Sequence, residues 1–115
     1  MKNKKIRENY LEKIPLRKAE LGWTADEKGI VTLEIENKGI ANRIAQKLLK
    51  KPKISYVHLD EMGSFIWPLI DGEKNIIKLG EAVDSHFGEA AHPLYERLSK
   101  YFQILESYGF IKFVK

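Results

Sequence analysis

The chain contains no cysteine, which excludes disulfides, thiolate metal ligands and cysteine nucleophiles. It also lacks long apolar runs, because pairs such as Ile104-Leu105 fall far short of the ~20 residues that span a bilayer. The basic N-terminus is interrupted by Glu8 and Glu12, so it does not form the apolar core of a signal peptide. These absences predict a cytoplasmic protein that does not enter a membrane.

Sequence motifs for catalysis and phosphate binding are missing as well. The glycines form neither G-x-G-x-x-G nor G-x-x-x-x-G-K, and no serine lies in a G-x-S-x-G turn. His58 and Asp60 form an H-x-D pair and His86 and His92 flank a turn, but neither pattern has the repeated spacing of a metal site. Asp60 and Asp71 are interpreted more simply as helix-cap and turn residues. We therefore expect no enzymatic activity, no metal and no cofactor.

Composition is that of a folded domain with an uneven charge distribution. The 115 residues are 43% apolar and 31% charged, which suffices for one hydrophobic core. Residues 1–53 carry 14 Lys and Arg against 7 Asp and Glu, whereas residues 54–115 carry 6 against 9. This asymmetry leaves two interpretations open, a solvated surface or a surface for nucleic acid or an acidic partner. We expect a single domain over residues 1–115, with a basic N-terminal arm over residues 1–15.

Alternating apolar and polar residues predict strands in the first half of the chain. Residues 16–24 and 30–36 are predicted to form a β-hairpin, and the second segment alternates strictly from Val31 onward. Gly29 supplies the turn, because glycine tolerates a positive φ. Residues 53–59 are rich in β-branched and aromatic types and predict a third strand.

Helical periodicity predicts one inserted helix and three further helices. An apolar stripe over residues 40–51 predicts the inserted helix, which places a sheet with an insertion within residues 16–59. Residues 60–115 are predicted to form a three-helix unit with a closing strand, and Pro68 is expected to kink or tighten the end of its first helix. The predicted fold class is α+β, a three-stranded antiparallel sheet packed on three helices, which is also the outline of a winged-helix domain.

The most specific pattern lies between Val57 and Gly72. An apolar strand is followed by L-[ND]-x-x-G-x-x-[VI]-W-x-x-[LI]-D-G and then by a capped amphipathic helix. The matching residues, in order, are Leu59, Asp60, Gly63, Ile66, Trp67, Ile70, Asp71 and Gly72. This pattern resembles the PqqD family, the pyrroloquinoline quinone biosynthesis protein D group, and the likeness extends over residues 54–112.

The resemblance implies a recognition element for ribosomally made peptides. Such a domain binds the leader of a precursor peptide, which adds as a strand to the edge of the third strand beside the last helix. It then presents the peptide to a modifying enzyme, commonly a radical S-adenosylmethionine (SAM) maturase. The expected binding residues on the strand are Lys53, Ile54, Ser55, Tyr56, Val57 and His58.

Helical periodicity extends this expectation to the last helix. The groove wall is predicted to consist of Leu94, Arg97, Leu98, Tyr101, Phe102 and Leu105. We expect Arg97 and Lys53, taken to lie near one another, to pair with carboxylates of the leader.

Two features depart from the family pattern and keep alternatives open. The predicted helix at 40–51 and the basic arm leave room for a covered or reshaped binding edge, for a different ligand, for a domain-exchanged homodimer or for a stand-alone protein with its own maturase contact. The winged-helix outline and a pI of 9.2 also permit a DNA-binding regulator. That alternative is disfavoured because the basic residues concentrate outside the two helices that would read DNA.

Overall fold

A computed structural model describes residues 10–37 and 53–114, and the side chains of residues 37 and 53 are outside the described set. The predicted helix at 40–51 and residues 1–9 of the predicted arm therefore lie outside the described residues. Within the described part, the chain has the predicted α+β architecture.

The main sheet has three antiparallel strands. They are β2 (Gly22–Ala25), β3 (Val31–Asn37) and β4 (Lys53–His58), arranged in the order β2-β3-β4. The β2–β3 turn is closed by the Asp26 carboxylate, which accepts hydrogen bonds from the amides of Lys28 and Ile30. Gly29 in this turn has a φ of 83°. The predicted turn, the second strand and the third strand are thus confirmed.

The first predicted strand, residues 16–24, is wrong as one element. β1 (Ile14–Arg17) leaves the main sheet and pairs antiparallel with the C-terminal strand β5 (Ile111–Val114). A turn separates β1 from β2, where the Leu21 amide donates to the Lys18 carbonyl at 3.1 Å. Alternation reports which face of a strand is apolar but not which strand it pairs with, so it could not separate the two. Residues 14 and 15, assigned to the arm, belong to β1.

Three helices follow the sheet, as predicted. They are α1 (Glu61–Ile66), α2 (Ile76–Phe87) and α3 (Leu94–Ser107). A 3-10 turn over Trp67–Leu69 continues α1, which confirms the tightened turn expected at Pro68.

The core lies between the inner face of the main sheet and the three helices. Trp67 is fully buried, as expected of a core anchor, whereas Trp23 is 36% exposed and packs edge-on against Trp67 with ring centroids 6.4 Å apart. The fully buried aliphatic and aromatic side chains around Trp67 come from the sheet and all three helices: Val31, Leu33, Ile66, Ile70, Ile76, Leu79, Val83, Leu98 and Phe102.

Ser64 of α1 joins the sheet to the helices. The Ser64 side chain is buried, and its hydroxyl accepts the Val31 amide at 2.8 Å and donates to the Leu59 carbonyl at 3.2 Å. The Leu59 amide donates to the Val31 carbonyl at 2.8 Å. The hydroxyl therefore replaces the second hydrogen bond of this strand pair and fixes α1 against the sheet end.

We expect Ser64→Ala to destabilise the fold. The substitution leaves the Val31 amide without its partner in the protein interior, and an unsatisfied buried group costs about 1–3 kcal/mol. The measurement is the free energy of unfolding in urea. The matched control is Ser85→Ala, because Ser85 is exposed on α2 and its loss should change stability by less than about 0.5 kcal/mol. Equal stabilities of the two variants would contradict this role of Ser64.

Candidate functional site

β4 is an edge strand of the main sheet. It pairs with β3 on one side, and within residues 10–37 and 53–114 no strand pairs with its other side. An unpaired strand edge presents a row of N–H and C=O groups that can accept another strand.

The register shows which backbone groups point away from β3. Leu59 and Val31 form a hydrogen-bonded pair, and such pairs alternate along antiparallel strands. The hydrogen-bonded positions of β4 are therefore 55 and 57, whose partners in β3 are Ile35 and Leu33. Ile54, Tyr56 and His58 consequently direct their N–H and C=O groups to the free edge.

The side chains of β4 alternate between two environments. Val57 and Ser55 lie on the inner face, opposite Leu33 and Ile35, and Val57 is still 36% exposed at the edge. The outer face carries Ile54, Tyr56 and His58, all exposed; the Nδ1 atom of His58 lies 2.7 Å from the Oγ1 atom of Thr32. The two expected faces of the third strand are thus as predicted.

Tyr101 fixes α3 beside the end of β4. Its hydroxyl donates to the Gly63 carbonyl at 2.9 Å. Gly63 has no room for a side chain, because an added Cβ would lie 2.9 Å from both the Tyr101 ring and the Asp60 carboxylate. Burial and, secondarily, the negative charge of Asp60 raise the pKa of Tyr101 above its usual value.

One stripe of α3 is partly buried over its N-terminal half and exposed over its C-terminal half. Its members recur at spacings of three and four residues, which places them on one helix face. They are Leu94, Arg97, Tyr101, Ile104 and Tyr108, the last being the C-cap residue. Ile104 is 47% exposed and Tyr108 is 70% exposed, so the C-terminal half of the stripe is an accessible apolar surface.

The outer edge of β4 and this stripe of α3 together form what we name the edge groove. Two neighbouring positions indicate their relative direction. The Tyr101 ring lies against Gly63, which adjoins Leu59 just after β4, and Tyr108 lines a cavity together with Ile54 near the start of β4. The strand and the helix therefore run in opposite directions along the groove.

Three residues expected to line the groove are core residues. Leu98, Phe102 and Leu105 have exposures of 0, 0 and 2%. They hold α3 against the sheet and α2, so a ligand in the edge groove would meet their neighbours instead. Peptide contact by the other residues named from the sequence stays a prediction.

Arg97 and Lys53 lie on different elements. Lys53 begins β4, and its side chain is outside the described set, whereas Arg97 lies near the start of α3. The Arg97 guanidinium donates to the Ala90 carbonyl at 2.7 Å and so supports the turn before α3. The expectation that Arg97 and Lys53 lie near one another and pair with leader carboxylates stays a prediction.

Sequence reasoning did not assign Ile104 and Tyr108 to the groove. Both are apolar or aromatic residues that lie next to the buried stripe on the helix surface. Helical periodicity alone therefore does not decide which of the two neighbouring stripes is buried and which is exposed. The available signal was the number of aromatic residues in the last helix, since they cannot all face one core.

The remaining candidate residues for chemistry have structural surroundings. Asp60 caps α1 by accepting the Gly63 amide at 2.7 Å. His92 contacts the Asp84 carboxylate at 2.9 Å, and His86 stacks on Phe65 with centroids 4.3 Å apart. In the described part of the chain, no three His, Asp or Glu residues converge as metal ligands would, and no helix is long and apolar enough to cross a membrane.

Comparison with known proteins yields one family. The family described as Coenzyme PQQ synthesis protein D (PqqD) matches residues 31–111, which include β3, β4, all three helices and the start of β5. No curated protein and no solved structure matches the chain.

We expect Tyr101→Phe to lower the free energy of unfolding by about 0.5–1.5 kcal/mol, the usual contribution of one internal hydrogen bond. The matched control is Tyr108→Phe, since the Tyr108 side chain is 70% exposed and its hydroxyl has no hydrogen bond among the described residues. Urea unfolding of both variants at pH 7 tests the difference. A Tyr101→Phe variant as stable as the control would contradict the assignment.

The raised pKa of Tyr101 adds an alkaline test. Because the folded-state pKa lies above the unfolded value of about 10, the stabilisation is complete below pH 10 and is lost as pH rises above it. Burial also raises the pKa of Tyr10, to about 12. Stability should therefore fall between pH 10 and 12, and Tyr101→Phe should remove part of that fall.

Proposed function

This chain belongs to the PqqD family, and from that premise we propose that it binds the leader segment of a ribosomally made precursor peptide in the edge groove. The leader adds to β4 as a further strand, and α3 contacts its side chains. The domain then presents the remainder of the peptide to a modifying enzyme, which we propose to be a radical SAM maturase in the cytoplasm.

The observation that carries this proposal is the edge of β4 that no strand of residues 10–37 and 53–114 covers. Ile54, Tyr56 and His58 direct backbone donors and acceptors outward, and an added strand satisfies all of them with its own backbone. Backbone pairing of this kind provides affinity for an extended peptide of almost any sequence. Selectivity must therefore come from the side chains that flank the edge.

The flanking side chains favour a peptide with alternating apolar residues. Successive residues of an added strand point to opposite faces of the sheet. Those that point inward would meet Val57 on β4 and the accessible apolar part of the α3 stripe, which consists of Ile104 and Tyr108. Those that point outward would lie beside Tyr56, which is 60% exposed.

A DNA-binding role is the alternative, and the described surface does not favour it. The exposed face of α2 carries Lys78 but also Glu81 and Asp84, and α3 exposes Lys100 together with Glu106. Helices that enter the major groove need a predominantly basic or amide-bearing face, because they approach a polyanion. The likeness to a winged helix thus remains a prediction about shape and does not by itself support DNA binding.

We expect Tyr56→Pro to abolish leader binding and retain the fold. Proline removes the Tyr56 amide, which points to the free edge, and leaves the hydrogen bonds between β4 and β3 in place. The measurement is an amide chemical-shift titration with the leader of any precursor peptide encoded beside the gene for this chain. In the native chain we expect shifts concentrated at residues 53–58 and 97–108.

The matched control is Tyr56→Ala, which removes the same side chain but keeps the amide. It should weaken binding only by the loss of side-chain contacts, and thermal unfolding should confirm that both variants fold. Undiminished binding by Tyr56→Pro would exclude strand addition at this edge. If no peptide shifts the amide signals of the native chain, self-association and DNA retention become the next measurements. Self-association would indicate a homodimer, and DNA retention would indicate a regulator.

A further inference from the structure

A cavity of about 410 Å³ opens at the end of the edge groove where β4 begins. It lies between the end of the main sheet, the turn before β2 and the C-terminal end of α3. Its apolar lining comes from Leu21, Ile35, Ile54, Tyr108 and Phe110. The Tyr108 and Phe110 rings stack on one another with centroids 5.4 Å apart, which gives this part of the lining a fixed shape.

The polar lining of the cavity is predominantly acidic. Among the described lining residues, Glu20, Glu34 and Glu36 contribute three carboxyl groups, and Lys18 contributes the one basic side chain. Among the described residues, Glu20 and Glu34 have no ion-pair or hydrogen-bond partner for their carboxylates, and Lys18 forms no ion pair with either. Two carboxylates beside an apolar cavity are therefore available to a cation.

The cavity is continuous with the edge groove. Ile54 and Tyr108 belong to both, so a strand added to β4 has one end next to the cavity entrance. A side chain from that end has to be long to reach the lining beyond Tyr108. The lining requires an apolar stem, and the carboxylates require a positive head.

We propose that this cavity receives an arginine or lysine side chain of the bound leader, its methylene stem against Ile35 and Phe110 and its charge beside Glu20 and Glu34. This inference rests on the proposed function and adds to it a class of leader, one with a long cationic residue at the end nearest Ile54. Long cationic side chains are suited to such a site, because their stems pack on apolar surface while their heads stay near polar groups.

An acidic or purely apolar side chain fits this cavity less well. A carboxylate would face the unpaired carboxylates of Glu20 and Glu34 against the one ammonium group of Lys18 among the described lining residues, and the net interaction would be repulsive. An aliphatic side chain would fill the apolar part but leave the available carboxylates without a partner.

The test uses a probe that is too small to add as a strand. n-Pentylammonium has the stem and the charge of lysine, and pentanol and pentanoate are neutral and anionic probes of equal length. Amide shifts are followed at residues 21, 35 and 110 of the full chain at low ionic strength. We expect n-pentylammonium to shift these amides and to bind at least about fivefold more tightly than either other probe, the factor expected of about 1 kcal/mol of charge pairing.

Charge-neutral variants assign the effect to the cavity. The double variant Glu20→Gln with Glu34→Gln should lose this preference, whereas Glu81→Gln with Glu89→Gln, an equal change of charge on exposed residues elsewhere, should keep it. Thermal unfolding verifies that both variants are folded. Equal binding of all three probes, or an unchanged preference in the first variant, would overturn the proposal.

The outcome separates this inference from the proposed function. If the leader shifts residues 53–58 but n-pentylammonium shows no preference, strand addition stands and the cationic site is wrong. If n-pentylammonium binds as expected and no leader binds, the site stands as a cation-selective cavity and the leader is the wrong ligand.

Discussion

The hydroxyl of Ser64 determines how the sheet and the helices of this protein meet. It occupies the position of a missing backbone hydrogen bond between Val31 and Leu59, with contacts of 2.8 and 3.2 Å, inside the core. Because the strand pair is interrupted there, the chain leaves the sheet after Leu59 and enters α1 at once, with Asp60 as the cap. The same short segment carries Gly63, whose carbonyl accepts the Tyr101 hydroxyl. The sheet end, the start of α1 and the middle of α3 are thus tied together by the six residues from Leu59 to Ser64, and the direction of the edge groove follows from that connection.

The residues of the family pattern have structural roles. Ile66, Trp67 and Ile70 are fully buried. Asp71 accepts amides of the following turn, and Gly72, at a φ of 79°, contacts Leu16 so closely that an added Cβ would lie 2.9 Å from the Leu16 side chain. Together with the capping Asp60 and the closely packed Gly63, they specify how the helices dock on the sheet. These residues determine the fold and do not line the edge groove. The pattern therefore indicates a family and does not specify a ligand.

Most of the fold could be predicted because its local signals agree with its tertiary contacts. The caps at Asp60 and Asn75, the turn at Gly29 and the tightened turn at Pro68 each depend on a few neighbouring residues. The separation of β1 from β2 could not be predicted, because it depends on pairing with β5, about a hundred residues away along the chain. Hydrophobic alternation is equally satisfied in either sheet, so only the packing of the complete chain decides between them.

The same limit applies to the candidate site, where it has a functional consequence. The last helix has one apolar stripe facing the core and a second, one position displaced, facing the groove; a periodicity analysis merges them. The core stripe, with Leu98, Phe102 and Leu105, has to match α2 and the sheet, and its burial restricts what it can be. Ile104 and Tyr108 carry no such restriction, and neither do Glu20 and Glu34 beside the cavity. Residues that are free of packing constraints and adjoin a fixed strand edge can change without loss of the fold, so the selectivity of the proposed peptide binding is best sought there.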